Sequence, residues 1–472
     1  MTDTDEKTTQ PEHTLFRFFA IMFGIYLLSR AFYANHYWND EHVLTYLAGL
    51  IVMAVPSPVT IAGAALVNLY DAWQVMPVNS NSFALMFIFQ VCMICAFVWL
   101  LIKERGANID SALFYRHIAP AGRLLLLTMY FFGIFHKINE DFLNPESSCA
   151  VRLLDDFIFF PEWLIATDSM RYGAIYATFI IEGAVMIMLL FSRTRYYAVV
   201  VGMLFHLFIA FNFYEFYLTF SLLSFLLHVM FLGPQCVKRW QASRLRAIIT
   251  APPGKWGALS AAFVMIGLYF AAVWAYVTTD DITYIYAICL PLYCLMCLFV
   301  IIYDRPVVNE TTPDESSRHY FFSPNYLVAA LPVLFFLSCF SPYVGFKNQQ
   351  NLNMFANLRT EEGESNHLIW RKPIALFPYL NDSVRIISTS DGSLRYYTRK
   401  ETRRMSQIRF KGWLVRERPQ KEIVYEINGE RFVYSGTLTP QQEEEYRMPY
   451  LMYKLMAFKP ILLKRPVPCT DQ

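Results

Sequence analysis

FALMFIFQVCMICAFVWLLI, residues 83–102, runs for twenty positions without a charged side chain. A helix of that length is about 30 Å long, the thickness of a bilayer's hydrocarbon core. Blocks of the same kind recur on both sides of it, at 15–33, 120–136, 173–192, 196–213, 216–233, 256–278, 283–303 and 325–345. Residues 43–70 are also apolar, but Pro56 and Pro58 interrupt them. That stretch reads as one kinked span, a re-entrant hairpin or a helix lying in the interface, because irregular backbone at membrane depth must be satisfied by protein or a water-filled cavity. The pattern predicts a mainly α protein, a polytopic α-helical membrane bundle of nine or ten spans over 15–345.

Composition excludes the alternatives. The 472 residues are 56% hydrophobic and 17% charged, with mean hydropathy +0.32, whereas soluble domains carry about 25% charged residues. Ordinary soluble enzymes, disordered chains, collagen-like chains and disulfide scaffolds are set aside on these figures. A net charge of +2 with no basic, base-stacking domain predicts no nucleic-acid partner. The polar opening MTDTDEKTTQPEHT (1–14) lacks the basic n-region of a cleaved signal and reads as a cytoplasmic N-terminus.

Basic residues give the direction. Lys103, Arg105, Arg116 and Arg123 follow the second firm span, Arg193 and Arg195 the fourth, Lys238 to Lys255 the sixth, and Arg305 and Arg318 the eighth. These loops share one side if the spans alternate, and that side is expected to be cytoplasmic. Residues 31–102 contain no Lys or Arg. The 34–82 stretch, the 137–172 loop and everything after about 345 then lie outside. A multi-pass protein of the bacterial inner membrane is expected, with membrane lipid as its constant partner.

Residues 346–472 read as a small C-terminal α+β extramembrane domain, with 21 Lys plus Arg against 14 Asp plus Glu. SVRIIST-SDGS-LRYYT (383–398) and EIVYEI-NGE-RFVYSG (422–436) are strand–turn–strand patterns. Thr439-Pro440 before QQEEEYRMPYLMYKLMAF has the N-cap, proline and acidic first turn of a helix that Pro449 kinks. Of the cysteines, Cys92, Cys95, Cys294 and Cys297 lie in apolar blocks and read as packing residues. Cys149 and Cys469 both fall outside and form a disulfide if the tail folds back over the 137–172 loop.

Chemistry is sought where ionisable side chains meet the membrane, since each is costly there. In MYFFGIFHKINEDFLNPESSCA (129–150) an apolar helix runs into His136-Lys137 and then Asn139, Glu140 and Asp141. Lys137 stands at the rim, where partial desolvation disfavours the charged form and suits the amine to general-base work. The structural alternative is a snorkelling lysine. His36 and His42 precede the broken segment and could relay protons or hydrogen-bond at the interface. Glu182, His206 and His228 lie within spans; the histidines read equally as buried residues satisfied by neighbouring helices, while Glu182 requires a partner, a proton or water. FNFYEFYLTF (211–220) reads as an aromatic interfacial belt with Glu215. No phosphate loop, nucleophile elbow or HExxH motif occurs.

YFFGIFHKINEDF resembles a segment of the vitamin K-dependent gamma-glutamyl carboxylases and, more closely, of their bacterial relatives in the horizontally transferred transmembrane domain (HTTM) family. WNDEHVLTYLAGL (38–50), with one extra residue before its histidine, FHLFIAFNFYEFYLTF (205–220) and MFANLRTEEGESNHLIW (354–370) resemble further family segments in the same order. The resemblance implies an integral membrane lyase in which a reduced vitamin K or menaquinol-type quinone and oxygen drive epoxidation, proton abstraction and glutamate carboxylation. It implies that Lys137 deprotonates the hydroquinone, that His42 stabilises the carbanion step and that His206 lies near the quinone, with His136, Tyr130 and Asn139 as cofactor-binding residues and no metal. A protein or peptide glutamate is the implied acceptor. A second expectation is a non-enzymatic membrane module that presents its outer domain to an envelope partner. A transporter would rest on Glu182, His206 and His228 alone, without the inverted repeat many carriers show.

Overall fold

The computed structural model describes residues 3–38, 42–77, 80–106, 108–155, 163, 167–210, 217–243, 283–304, 320–374, 376–398 and 402–469. Its helices run in the order α1 (Asp3–Trp38), α2 (Val43–Ala54), α3 (Pro58–Val75), α4 (Asn81–Lys103), α5 (Ser111–Phe135), α6 (Glu140–Leu143) and α7 (Cys149–Asp155). They continue with α8 (Asp168–Leu190), α9 (Arg195–Ala210), α10 (Tyr217–Val229), α11 (Pro234–Gln241), α12 (Thr283–Tyr303) and α13 (Tyr326–Ser338). Among the described residues four helices are long and apolar enough to cross a membrane: the Pro11–Ala31 part of α1, α4, α5 and α8. The α10–α11 pair, bent by 90°, makes a fifth if it is one span. The expected nine or ten spans are therefore matched only in part. The described part of the block 196–213 lies in a helix of 16 residues, 325–345 holds one of 13, and 211–213, Glu215 and 256–278 lie outside the described residues.

The chain forms two compact units. The first comprises residues 1–68, 90–127 and 184–330, the second 69–89, 128–183 and 331–472. In the first, α1 and α2 approach closely because each offers a glycine at the crossing. A Cβ on Gly24 would stand 2.8 Å from the Gly49 carbonyl oxygen, and one on Gly49 would stand 3.0 Å from that of Gly24. Small residues give apolar helices this contact where hydrophobic driving force between them is absent. The broken segment 43–70 becomes two helices. Pro56 has no N–H to continue α2, and the Ser57 hydroxyl accepts the Thr60 amide at 3.1 Å to open α3 with Pro58 at its first position. Guanidinium charge is also answered inside this unit, where half-buried Arg123 and buried Arg195 lie over the Tyr320 ring at 3.8 and 3.9 Å.

The second unit holds the sheet. After α13 come β1 (Ser383–Thr389), α14 (Arg395–Thr398), β2 (Arg403–Ser406), α15 (Gln407–Glu417), β3 (Ile423–Ile427), β4 (Glu430–Tyr434), α16 (Pro440–Tyr446), α17 (Tyr450–Leu455) and β5 (Ile461–Leu462). The strand order is β4-β3-β1-β2-β5, with every pairing antiparallel. The 422–436 pattern forms its hairpin, with Asn428 and Gly429 at φ 51 and 85, the left-handed values that a two-residue turn requires. LRYYT departs from the expected strand. Asp391 accepts the Ser393 amide and starts a helical turn, and Leu394 and Tyr397, three apart, are both buried. β1 pairs instead with β2 and β3, and its core includes Val384, Ile386, Phe410, Leu414 and Tyr425. Thr439 caps the helix as expected, in a capping box with Gln442, but Pro449 divides the following helix in two rather than kinking it.

Candidate functional site

Lys137 sits in the turn that ends α5, and its side chain does not snorkel to water. Only 7% of the residue is exposed, and Nζ donates to both carboxylate oxygens of Glu182, at 2.7 and 2.9 Å. Glu182, on α8, is 8% exposed. Gly133, one turn before Lys137, makes the approach possible, since a Cβ there would stand 3.2 Å from Glu182 Oε2. The Phe142 ring lies 5.8 Å from Nζ and packs edge-on against Phe179. The expectation of a lone, poorly hydrated amine thus omits its partner. Glu182 was legible as a carboxylate needing one; that Lys137 supplies it was not.

His136 is fully buried and faces other partners. Its Nε2 donates to the Asn351 carbonyl at 2.9 Å, which leaves Nδ1 of the neutral ring to accept from the Tyr343 hydroxyl at 2.8 Å. Asn139 is also fully buried. Its amide nitrogen donates to the carbonyls of His136 and Ala356, and its oxygen caps α6 through the Phe142 amide at 2.8 Å. Tyr130 is buried in α5. Asn366 ties this turn to the C-terminal chain by donating to Asp141 Oδ2 and to the Asn357 carbonyl, each at 2.7 Å, while its own carbonyl accepts the Glu140 amide. The 129–142 and 354–370 segments, far apart in sequence, are therefore neighbours.

His367 completes the junction. Its Nδ1 accepts the amides of Ile369 and Trp370 at 3.3 and 3.0 Å, so the ring proton is on Nε2, which donates to the Phe135 carbonyl at 2.8 Å. Burial lowers its pKa. Cys149, at the start of α7, is disulfide-bonded to Cys469, as the tail-fold-back expectation requires.

His42 and His206 belong to the first unit. His42 is buried at the start of α2, and His206 is buried in α9 with its ring 6.1 Å from that of His228. Four of the sequence-derived site residues, Lys137, His136, Asn139 and Tyr130, thus share the second unit, and two share the first. Tyr343, Asn366 and His367 were not assigned roles from sequence. Asn366 and His367 lie within the 354–370 segment, and the run KNQQNLN (347–353) beside Tyr343 was a signal in itself, because so many amides beside an apolar block need buried partners. No family model, no curated protein and no solved structure matches this chain.

Proposed function

We propose that the protein is a quinol-dependent membrane enzyme of carboxylase type, with Lys137 as its base and Glu182 as the acceptor of that base's proton. The observation that carries this is the doubly hydrogen-bonded Lys137–Glu182 pair, 7% and 8% exposed, among phenylalanines. Moving one proton from Nζ to a Glu182 oxygen turns an ion pair into a neutral amine and a neutral acid, with no change in net charge. Low dielectric penalises separated charge least in that neutral form. The amine can then withdraw a proton from an acidic hydroxyl and regain its ammonium form. Amine chemistry beside Phe142 and Phe179 fits an aromatic hydroxyl such as a hydroquinone's. A reduced quinone reacting with oxygen would supply the strong base for carboxylating a glutamate acceptor. His42 and His206 carry the roles the HTTM resemblance gives them within this proposal. So do a nine- or ten-span bundle in a bacterial inner membrane and an exoplasmic C-terminal domain. The Cys149–Cys469 disulfide supports that orientation, because disulfides persist in oxidising compartments.

The test is epoxide formation by purified protein in lipid with vitamin K hydroquinone or menaquinol and oxygen. Wild type is expected to form epoxide, and Lys137→Ala to lose most of it. Equal product from both removes Lys137 from the chemistry. The same pair favours a second reading, a non-enzymatic module, because opposite charges joined at 2.7 Å staple α5 to α8 whatever reaction occurs. That reading expects no epoxide from either protein.

A further inference from the structure

Two stretches of the second unit leave large apolar side chains in the open. Between 368 and 377, Ile369 is 67% exposed, Ile374 48% and Leu376 67%; on α17, Tyr450 is 62% exposed and Leu451 60%. Scattered exposed leucines need no explanation, but clusters of this kind mark a contact surface.

Both stretches are tied to the ends of apolar helices. The Leu368 amide donates to the Ile138 carbonyl, three residues past α5, at 2.9 Å. The amides of Ile374 and Phe377 donate to the carbonyls of Tyr343 and Val344, shortly after α13, at 2.8 and 3.0 Å. Gly345, at φ +74, permits that last approach, since a Cβ would collide with the Phe377 carbonyl. On α17, Lys454 donates to the carbonyls of Trp73, Gln74 and Met76 at 2.7, 3.3 and 3.0 Å, where α3 ends. The Tyr450 ring meets Trp73 edge-on at 6.0 Å. Exposed Arg371 and Lys372 lie within the first stretch.

We propose that residues 368–377 and α17 are seated in the headgroup–acyl boundary of the leaflet at which α3 and α5 end, as two interfacial anchors for the C-terminal domain. The occupant is lipid because the first stretch is hydrogen-bonded to the chain that follows the apolar helices α5 and α13, and α17 to the end of α3, so the apolar surface of those helices continues onto both. Apolar side chains beside basic ones suit that boundary, where acyl chains meet phosphates. The proposal rests on the membrane reading of the helices and not on the chemistry assigned to Lys137.

The test places a photoreactive benzophenone side chain at Ile369, Leu376 or Leu451 of the full chain, in nanodiscs of phosphatidylglycerol and phosphatidylethanolamine. Ile180 of α8, 69% exposed, is the membrane reference, and Asn428 in the β3–β4 turn is the aqueous one. Mass spectrometry is expected to find lipid adducts at the three test positions in yields near that of Ile180 and several-fold above Asn428. Adducts at Ile180 with test positions at the Asn428 level overturn the proposal. So does cross-linking of two copies of the chain in place of lipid adducts. Failure at Ile180 itself overturns the membrane reading, which the reference detects separately.

Discussion

Loss of either Lys137 or Glu182 strands its partner among apolar side chains. Lys137→Met and Glu182→Leu are each expected to destabilise the protein by about 3–5 kcal/mol, the usual cost of breaking a buried ion pair. The double variant, which leaves no stranded charge, is expected to recover most of that loss. Thermal unfolding in nanodiscs measures the cycle, and a double variant as unstable as the sum of the singles would show that the groups are not coupled. The need for a pair was legible in sequence, because a lone carboxylate and a lone amine each stand near an apolar block. The pairing itself was not, since 45 residues separate them and only helix packing brings α8 beside α5. For Asn139 the HTTM resemblance implies a cofactor-binding role, while the structure shows its side chain capping α6 and holding the His136 and Ala356 carbonyls.

The segment that follows His367 depends on a neutral imidazole, because two amides point at Nδ1 and would meet a proton there. Burial, the largest cause, lowers the folded pKa below the ordinary value of 6.5, and the hydrogen bond to Phe135 opposes it in part. The unfolded chain therefore binds the proton more readily. Stability is full above about pH 6.5 and is lost as pH falls toward the lowered folded value. Unfolding midpoints are expected to drop more for wild type than for His367→Gln between about pH 7.5 and 5.5. Parallel curves would assign the pH dependence elsewhere; Tyr343 and His136 are its titratable neighbours. Element by element, local chemistry was a good guide where it was complete. Asn428-Gly429 forms the turn its residues suggest, whereas the break at Pro56 and Pro58 left three readings open and becomes two helices in the structure. It misled at LRYYT, whose tyrosines suit a strand but whose buried residues recur at helical spacing.

At the scale of the whole molecule the covalent cross-link among the described residues is Cys149–Cys469, whose ends stand 320 positions apart in sequence. Cys149→Ser is expected to cost about 2–4 kcal/mol, largely by freeing the unfolded chain. Non-reducing peptide mapping should show the linked pair, and two free thiols there would contradict it. Reductant is expected to lower the wild-type unfolding midpoint and to leave Cys149→Ser unchanged.

The membrane class and the β-bearing tail were determined by sequence alone, because hydrophobic length and strand alternation are properties of consecutive residues. Which charges meet was decided only in three dimensions. Glu182 finds Lys137, and Asn366 finds Asp141, through backbone approaches that depend on a missing Cβ at Gly133 and on a chain returning from the far end of the sequence. A hydrogen bond or ion pair is set by distances of about 3 Å, and no local pattern encodes a distance between residues so far apart along the chain.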